Sequence, residues 1–297
     1  MGVTRRGCRM IEFEGRLPLL VFGGPYSNLR ATRALIAEAD RLGIPPHRVI
    51  CTGDIVAYGA EPEETVRAVA DWGCHAIQGN CEQQLAAGAD DCACNFESGS
   101  ACDLLAKGWY PFANARISDA MRQWMGALPE TLRFSFGGAT FRVAHGGVAQ
   151  VNRWVFASQT AVLAEECAQA DADVVIAGHA GVPFIARSGR TVWFNPGVTG
   201  MPANDGATDV WYGLVSRQNA AVTLSTHRLA YDHAGAAAAM RRSGHANGYA
   251  RTLVTGVWPS LDVFPPTERA ATGKRLRART LAVTPRSVAQ ASAPLSV

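Results

Sequence analysis

The chain has 297 residues, is 48% hydrophobic and 18% charged, and can bury one large α/β core or two small ones. Its formal net charge of +3 is unevenly spread. Six basic residues and no acidic one lie from Arg269 onward, so the rest is slightly acidic. A charge excess confined to a tail speaks against a nucleic-acid surface, which needs a basic patch on a folded face.

The early apolar run from Leu17 to Phe22 is far short of the ~20 residues that cross a bilayer. Arg5, Arg6 and Cys8 have no apolar segment between them, which excludes a twin-arginine or lipoprotein signal. A cytoplasmic location without membrane contact is expected, and with it reduced thiols at all eight cysteines. None of them forms a C-x-x-C pair.

In chain order, LPLLVFGG reads as a buried strand ended by two glycines. Helical spacing follows over Asn28–Leu42, a strand over Arg48–Thr52, a helix over Glu61–Trp72 and a short strand over His75–Gln78. This β-α-β-α-β rhythm implies an α/β fold with strand ends along one edge, where ligands bind. Residues 83–128 read as a helical excursion covering that edge, with a helix over Ser118–Leu128. Then come a hairpin (Thr131–Phe136, Ala139–Ala144), a helix (Thr160–Ala170), a buried strand (Asp173–Ala177) and two more strand pairs (Pro183–Ala186 with Thr191–Phe194, Trp211–Ser216 with Ala221–His227). Short helices are expected at Ala234–Met240 and Asn247–Gly256. Periodicity is lost from Pro259, and the last ~25 residues have a disordered composition. The expected organisation is an extension over 1–15, a domain over 16–256 and a C-terminal extension over 257–297.

Four strands end alike, in an apolar run, a glycine-containing turn and a polar residue. They deliver Asp54, Asn80, His145 and His179 to one edge. One carboxylate, one amide oxygen and two imidazoles suit manganese, iron, zinc or nickel, and make a poor cage for calcium.

The blocks carrying these residues resemble the calcineurin-like metallophosphoesterases: CTGDIVAYGAEP resembles the G-D-x-V-x-Y-G block, QGNCE the G-N-H-D/E block, VAHGG the H-G block, and IAGHAGVPF with FNPGVTGMP the last two. The resemblance runs from about Pro18 to Asp232, and the motif set is similar to that of small bacterial phosphodiesterases such as diadenosine tetraphosphatases. It implies a four-layer α-β-β-α sandwich of two mixed sheets flanked by helices, and hydrolysis of a phosphomonoester or phosphodiester. Asp54 would match the carboxylate bridging two metals, and Asn80, His145 and His179 the other ligands of the second metal.

Three departures remove the first metal's own ligands. Gly24 stands at the Asp position, Tyr26 at the first His position and Gly181 at the second His of the fifth block. The resemblance therefore implies one metal per chain, with the first site empty or rebuilt. The catalytic His after Asn80 is replaced by Cys81, read as a metal-near thiol, a nucleophile or a small filler. Rebuilding could draw on Tyr26 as a phenolate, Tyr58, or Cys92, Cys94 and Cys102. Asn28, Arg30, Tyr58 and Arg153 are candidate contacts to a phosphorylated small molecule or nucleotide. Two alternatives stand beside hydrolysis: an impaired relative that senses a metal or nucleotide or binds a partner, and an iron centre of different chemistry. A homo-oligomer is compatible with the WPSLDVFPP segment near Trp258.

Overall fold

The structure is a computed structural model that describes residues 10–218, 221–245 and 247–285. The chain opens with β1 (Ile11–Phe13), β2 (Leu19–Phe22), α1 (Leu29–Arg41), β3 (Val49–Cys51), α2 (Pro62–Trp72), β4 (His75–Ala76) and α3 (Asn80–Ala87). After α4 (Ala101–Asn114) and α5 (Asp119–Ala127) come the hairpin β5 (Leu132–Phe136) and β6 (Ala139–Val143), α6 (Thr160–Gln169) and β7 (Val174–Ile176). The hairpins β8 (Phe184–Ser188) with β9 (Thr191–Asn195) and β10 (Val210–Gln218) with β11 (Ala221–Leu229) follow. Then come α7 (His233–Ser243), α8 (Asn247–Thr255), α9 (Pro266–Ala270) and β12 (Thr280–Val283).

Local chemistry sets these limits. Asn28, Ser100 and Ser118 cap α1, α4 and α5 by accepting from backbone N–H groups three residues on. Pro62 starts α2, Glu63 and Glu64 sit in its positive first turn, and Gly73 ends it in the left-handed conformation.

One six-stranded sheet has the order β12-β11-β10-β2-β3-β4, and the other β1-β5-β6-β7-β9-β8. Each mixes parallel and antiparallel pairs. Alternation along the strands places the layers. Leu19 and Val21 of β2 face a central core with Phe134, Val174, Ile176 and Phe194 of the other sheet. Leu20 and Phe22 face the other way, into a core with Leu35, Val66 and Ala237 of the flanking helices. In the second sheet, Val175 and Trp193 pack outward against Leu163 and Cys167 of α6. Strands buried on both faces, between helices on both outer sides, form the expected α-β-β-α sandwich.

Several expectations are corrected. β1 lies in the segment set apart as an N-terminal extension, yet pairs in parallel with β5. The start of the presumed disordered tail is ordered: β12 pairs with β11, and Arg275 pairs with Asp209. The rest of the tail, from residue 286, lies outside the described residues, as does Cys8. The excursion is three helices rather than one, because Gly88 and the 88–100 loop break it after α3. Reduced thiols were expected throughout, but Cys92 and Cys94 are joined in a disulfide. Ala93 between them takes a left-handed turn, its N–H bonded to Asp91, and this brings the two sulfurs to the same side. Cys51, Cys74, Cys81, Cys102 and Cys167 are free.

Candidate metal centre

β2, β3 and β4 run parallel, as do β6, β7 and β9, so both sheets point strand C-termini at one edge. The turns after these strands are laced together by backbone bonds. Gly24 N–H donates to Gly53 O, Tyr26 N–H to Asp54 O, Thr199 N–H to Gly23 O and His179 N–H to His145 O. The approach is so close that a Cβ on Gly53 or Gly79 would run into backbone of the adjoining turn, which requires glycine at both. Tyr26, Ser27, Asp54 and Tyr58 all have positive φ without being glycine. Such strain, of order 1–3 kcal/mol each, concentrates at functional sites.

Asp54, His145 and His179 converge as one buried group whose ligand atoms lie within 4.8 Å of one another. His145 Nε2 is 3.1 Å from Asp54 Oδ2, 2.9 Å from His179 Nδ1 and 3.1 Å from Asn80 Oδ1. His179 Nδ1 is 3.9 Å from Asp54 Oδ2. These separations bracket the edge of about 3.4 Å expected for a tetrahedron with bonds of ~2.0–2.1 Å.

Each donor is oriented. His145 Nδ1–H donates to Thr52 O at 2.7 Å, which leaves the Nε2 lone pair facing the group. Asn80 Nδ2 donates to Cys92 O at 2.8 Å, which turns Oδ1 inward. Two oxygens and two imidazole nitrogens thus meet where a proton or a cation must lie. The donor set fits one transition-metal ion.

Electrostatics agree. Burial alone would raise the Asp54 carboxyl, but the His145 and His179 imidazoles hold it well below the usual carboxylate range. Burial works against charge on His145, yet Asp54 and the Thr52 carbonyl leave it raised. His179 is lowered by burial and by His145, so it is neutral, the form that ligates.

Sequence reasoning missed the residue that shapes the Asp54 turn. Glu82 is fully buried and accepts from the N–H groups of Asp54 at 2.6 Å, Ile55 at 2.8 Å and Gly79 at 2.8 Å. Burial and the Asp54 charge raise its carboxyl to about 7. The acidic residue closing the QGNCE block was the available signal.

Among the described residues, no second group of three His, Cys, Asp or Glu side chains converges at the first-metal positions. Aromatic rings stand there instead. A Cβ on Gly24 would fall under 3.0 Å from three ring carbons of Tyr26, so that ring occupies the space an Asp side chain would enter. A Cβ on Gly181 would lie 3.0 Å from Trp258 Cη2 and 3.1 Å from Cζ2, so the indole stands at the lost His. Tyr58 packs edge-on to Tyr26 and stacks on Tyr249, and Trp154 covers His179. These rings enclose a cavity of about 30 Å³ beside the ligands, room for a water but not a phosphate.

Of the other candidates, Tyr26, Cys81 and Cys94 border the centre and the rest fall elsewhere. Burial, then Asp54 and Cys81, push the Tyr26 phenol well above its ordinary value, so it is neutral. Burial and Asp54 do the same to the Cys81 thiol, which disfavours the thiolate in the metal-free protein. Cys102 sits against the Ser260–Asp262 segment rather than beside Cys81. Asn28 caps α1 and donates to Gly200 O; Arg30 pairs with Glu61 and Asp232; Arg153 pairs with Glu165 and Glu166. None of these three side chains points free into the centre.

A model of the calcineurin-like phosphoesterase superfamily domain matches residues 26–218, most of the chain. The chain belongs to this superfamily. It is similar to the crystal structure of a metallophosphoesterase from Sphaerobacter thermophilus, with TM-score 0.64 and 22% identity over 82% of this chain and 100% of that one. It is also similar to a hypothetical protein from Pyrococcus horikoshii OT3, with TM-score 0.69 and 14% identity over 81% and 99% of the two chains. An uncharacterized protein of Methanocaldococcus jannaschii is 37% identical over 62 residues, which span 21% of this chain and a quarter of that relative. In this metallophosphoesterase-fold chain, no helix among the described residues is long and apolar enough to cross a membrane.

Proposed function

We propose that this is a one-metal, catalytically impaired metallophosphoesterase-fold protein that works by binding rather than by turnover. Asp54, Asn80, His145 and His179 would hold one divalent transition-metal ion. The observation that carries this reading is the Tyr26 ring lying in the side-chain space of Gly24, seconded by Trp258 against Gly181. A two-metal site is blocked by packing as well as by missing ligands. All four ligands are at most 4% exposed, so a phosphoester has no path to them without movement of the aromatic cover.

When bound, such an ion supplies Lewis acidity and lowers the pKa of a coordinated water. The surrounding residues are poorly placed to use that chemistry. Cys81 stands where the family's imidazole would protonate a leaving group, and a buried thiol is a weaker donor than an imidazolium. Tyr26 excludes water and fills space. The motif set supports a place near the small phosphodiesterases similar to diadenosine tetraphosphatases, and so a phosphorylated small molecule or nucleotide as the ligand sensed.

A slow one-metal hydrolase is the second reading, favoured by the intact convergence of the four donors. Hydrolysis of bis-p-nitrophenyl phosphate by metal-loaded protein decides between them. Binding without turnover predicts equal, background rates for wild type and Asp54→Asn, although only wild type retains metal. A wild-type rate that Asp54→Asn abolishes would reject the impaired reading in favour of the hydrolase.

A further inference from the structure

A cavity of about 400 Å³ lies away from the metal centre, between β8 and the segment after α9. That is the size of a small-molecule pocket. None of Asp54, Asn80, His145 or His179 lines it. Phe156, Phe184 and Phe264, all buried, form an apolar floor.

Lys274, Arg277 and Arg279 line the same cavity and are exposed. The neighbouring cations Arg228 and Arg275 are tied to Asp205 and Asp209, whereas these three carry no ion pair among the described residues. Of the two acids of the lining, Asp205 is neutralised by an ion pair and Glu268 is held by hydrogen bonds that leave its charge in place. Asp205 is buried, paired with Arg228 and accepting from Leu276 N–H at 2.9 Å. Glu268 accepts from Ser158 N–H at 3.0 Å and from the Ser158 hydroxyl. The cavity therefore presents an apolar floor and a rim with an excess of positive charge, three cations against the one unpaired carboxylate of Glu268, and β12 with its flanking segment holds that rim in place.

We infer that this cavity binds a small amphipathic anion: an aliphatic or aromatic body against the three phenylalanines, with a phosphate or carboxylate held by Lys274, Arg277 and Arg279. Arginine forks and a lysine point charge suit such a headgroup. A recessed cavity, rather than a flat basic face, selects a single molecule from solution over a bilayer surface.

Isothermal titration of the full chain with decyl phosphate, below its micelle concentration, tests this. Decyl phosphate is expected to bind one to one. Inorganic phosphate, lacking the apolar body, and neutral decyl maltoside, lacking the charge, should each bind at least about tenfold more weakly. Lys274→Glu with Arg277→Glu should weaken decyl phosphate by about tenfold or more and leave decyl maltoside unchanged. The milder Lys274→Gln with Arg277→Gln should act in the same direction if the reversal destabilises the fold. Ala157→Trp, at an exposed position of the wall, should block both amphiphiles. No binding of decyl phosphate overturns the inference, as does binding indifferent to both double variants, or inorganic phosphate binding as tightly. Retention on phosphatidic acid vesicles without binding of decyl phosphate would also overturn it, by placing the source in a membrane.

Discussion

Adding one methyl group at Gly24 tests whether the Tyr26 ring fills the vacated ligand position. Gly24 has φ +34°, where an L side chain is strained by roughly 1–2 kcal/mol. Its Cβ would also meet three ring carbons of Tyr26 at less than 3.0 Å, and overpacking of this kind costs about 1–3 kcal/mol. Gly24→Ala in the wild-type background should therefore destabilise by roughly 2–5 kcal/mol. In a Tyr26→Ala background the collision is gone and only strain remains, so the same change should cost ~1–2 kcal/mol. The coupling in this double-mutant cycle is then about 1–3 kcal/mol, read from urea unfolding of the four proteins at 25 °C. Tyr26→Ala alone should cost ~3–5 kcal/mol as a buried ring is lost. Additivity within ~0.5 kcal/mol would mean that ring and glycine do not share the space, and the account of the blocked first site would fall.

Other outcomes follow from single contacts. Adding zinc or manganese at a hundred times its Kd should stabilise wild type by about 2.7 kcal/mol, seen as a rise in Tm; His145→Ala should abolish the rise, and an equal rise in that variant would count against the centre. Arg48 ties the N-terminal segment to β3 by donating to the carbonyls of Glu14, Leu17 and Pro18 while lying over Phe13 and Phe136. Arg48→Met should cost roughly 2–4 kcal/mol in urea unfolding, and a change below ~0.5 kcal/mol would show the three carbonyls to be otherwise satisfied. Burial raises the Cys74 thiol to about 12 and the Cys167 thiol, also near Glu166, to about 11. Since the thiolate reacts, iodoacetamide at pH 8 should label both at least ~100-fold more slowly than a free thiol of pKa ~8.5, with labelling rising as pH approaches 10. Rapid labelling of either at pH 8, mapped by mass spectrometry, would contradict the packing around them.

The half-site was legible because its signal is local. Asp54, Asn80 and His179 each follow an apolar strand and a glycine, His145 follows a strand and precedes two glycines, and these glycines are there because adjoining turns touch. The α/β rhythm was legible from short apolar strands such as β2 and β7, and the two-sheet sandwich only through the family resemblance of the motif blocks. What replaced the first metal was not legible. Trp258 reaches Gly181 from a distant segment, and Tyr249 reaches Tyr58 from α8, contacts with no local signature. β1 and β12 were missed for a related reason. They have three and four residues, too short for alternation to register, and they form only because a neighbouring strand offers an edge. The Cys92–Cys94 bridge and the backbone turn of Glu82 were hidden likewise, since both depend on how a loop folds rather than on residue spacing.

The central claim is one metal ion per chain. Its most direct test is elemental analysis of protein loaded with manganese, iron, zinc or nickel and freed of excess by gel filtration, with protein quantified by amino-acid analysis. The account predicts about one equivalent in wild type, lost when His145 and His179 are replaced by alanine. Two equivalents would contradict it by requiring a first site that Gly24, Tyr26 and Gly181 do not provide, and none with any of the four metals would contradict it by removing the centre altogether.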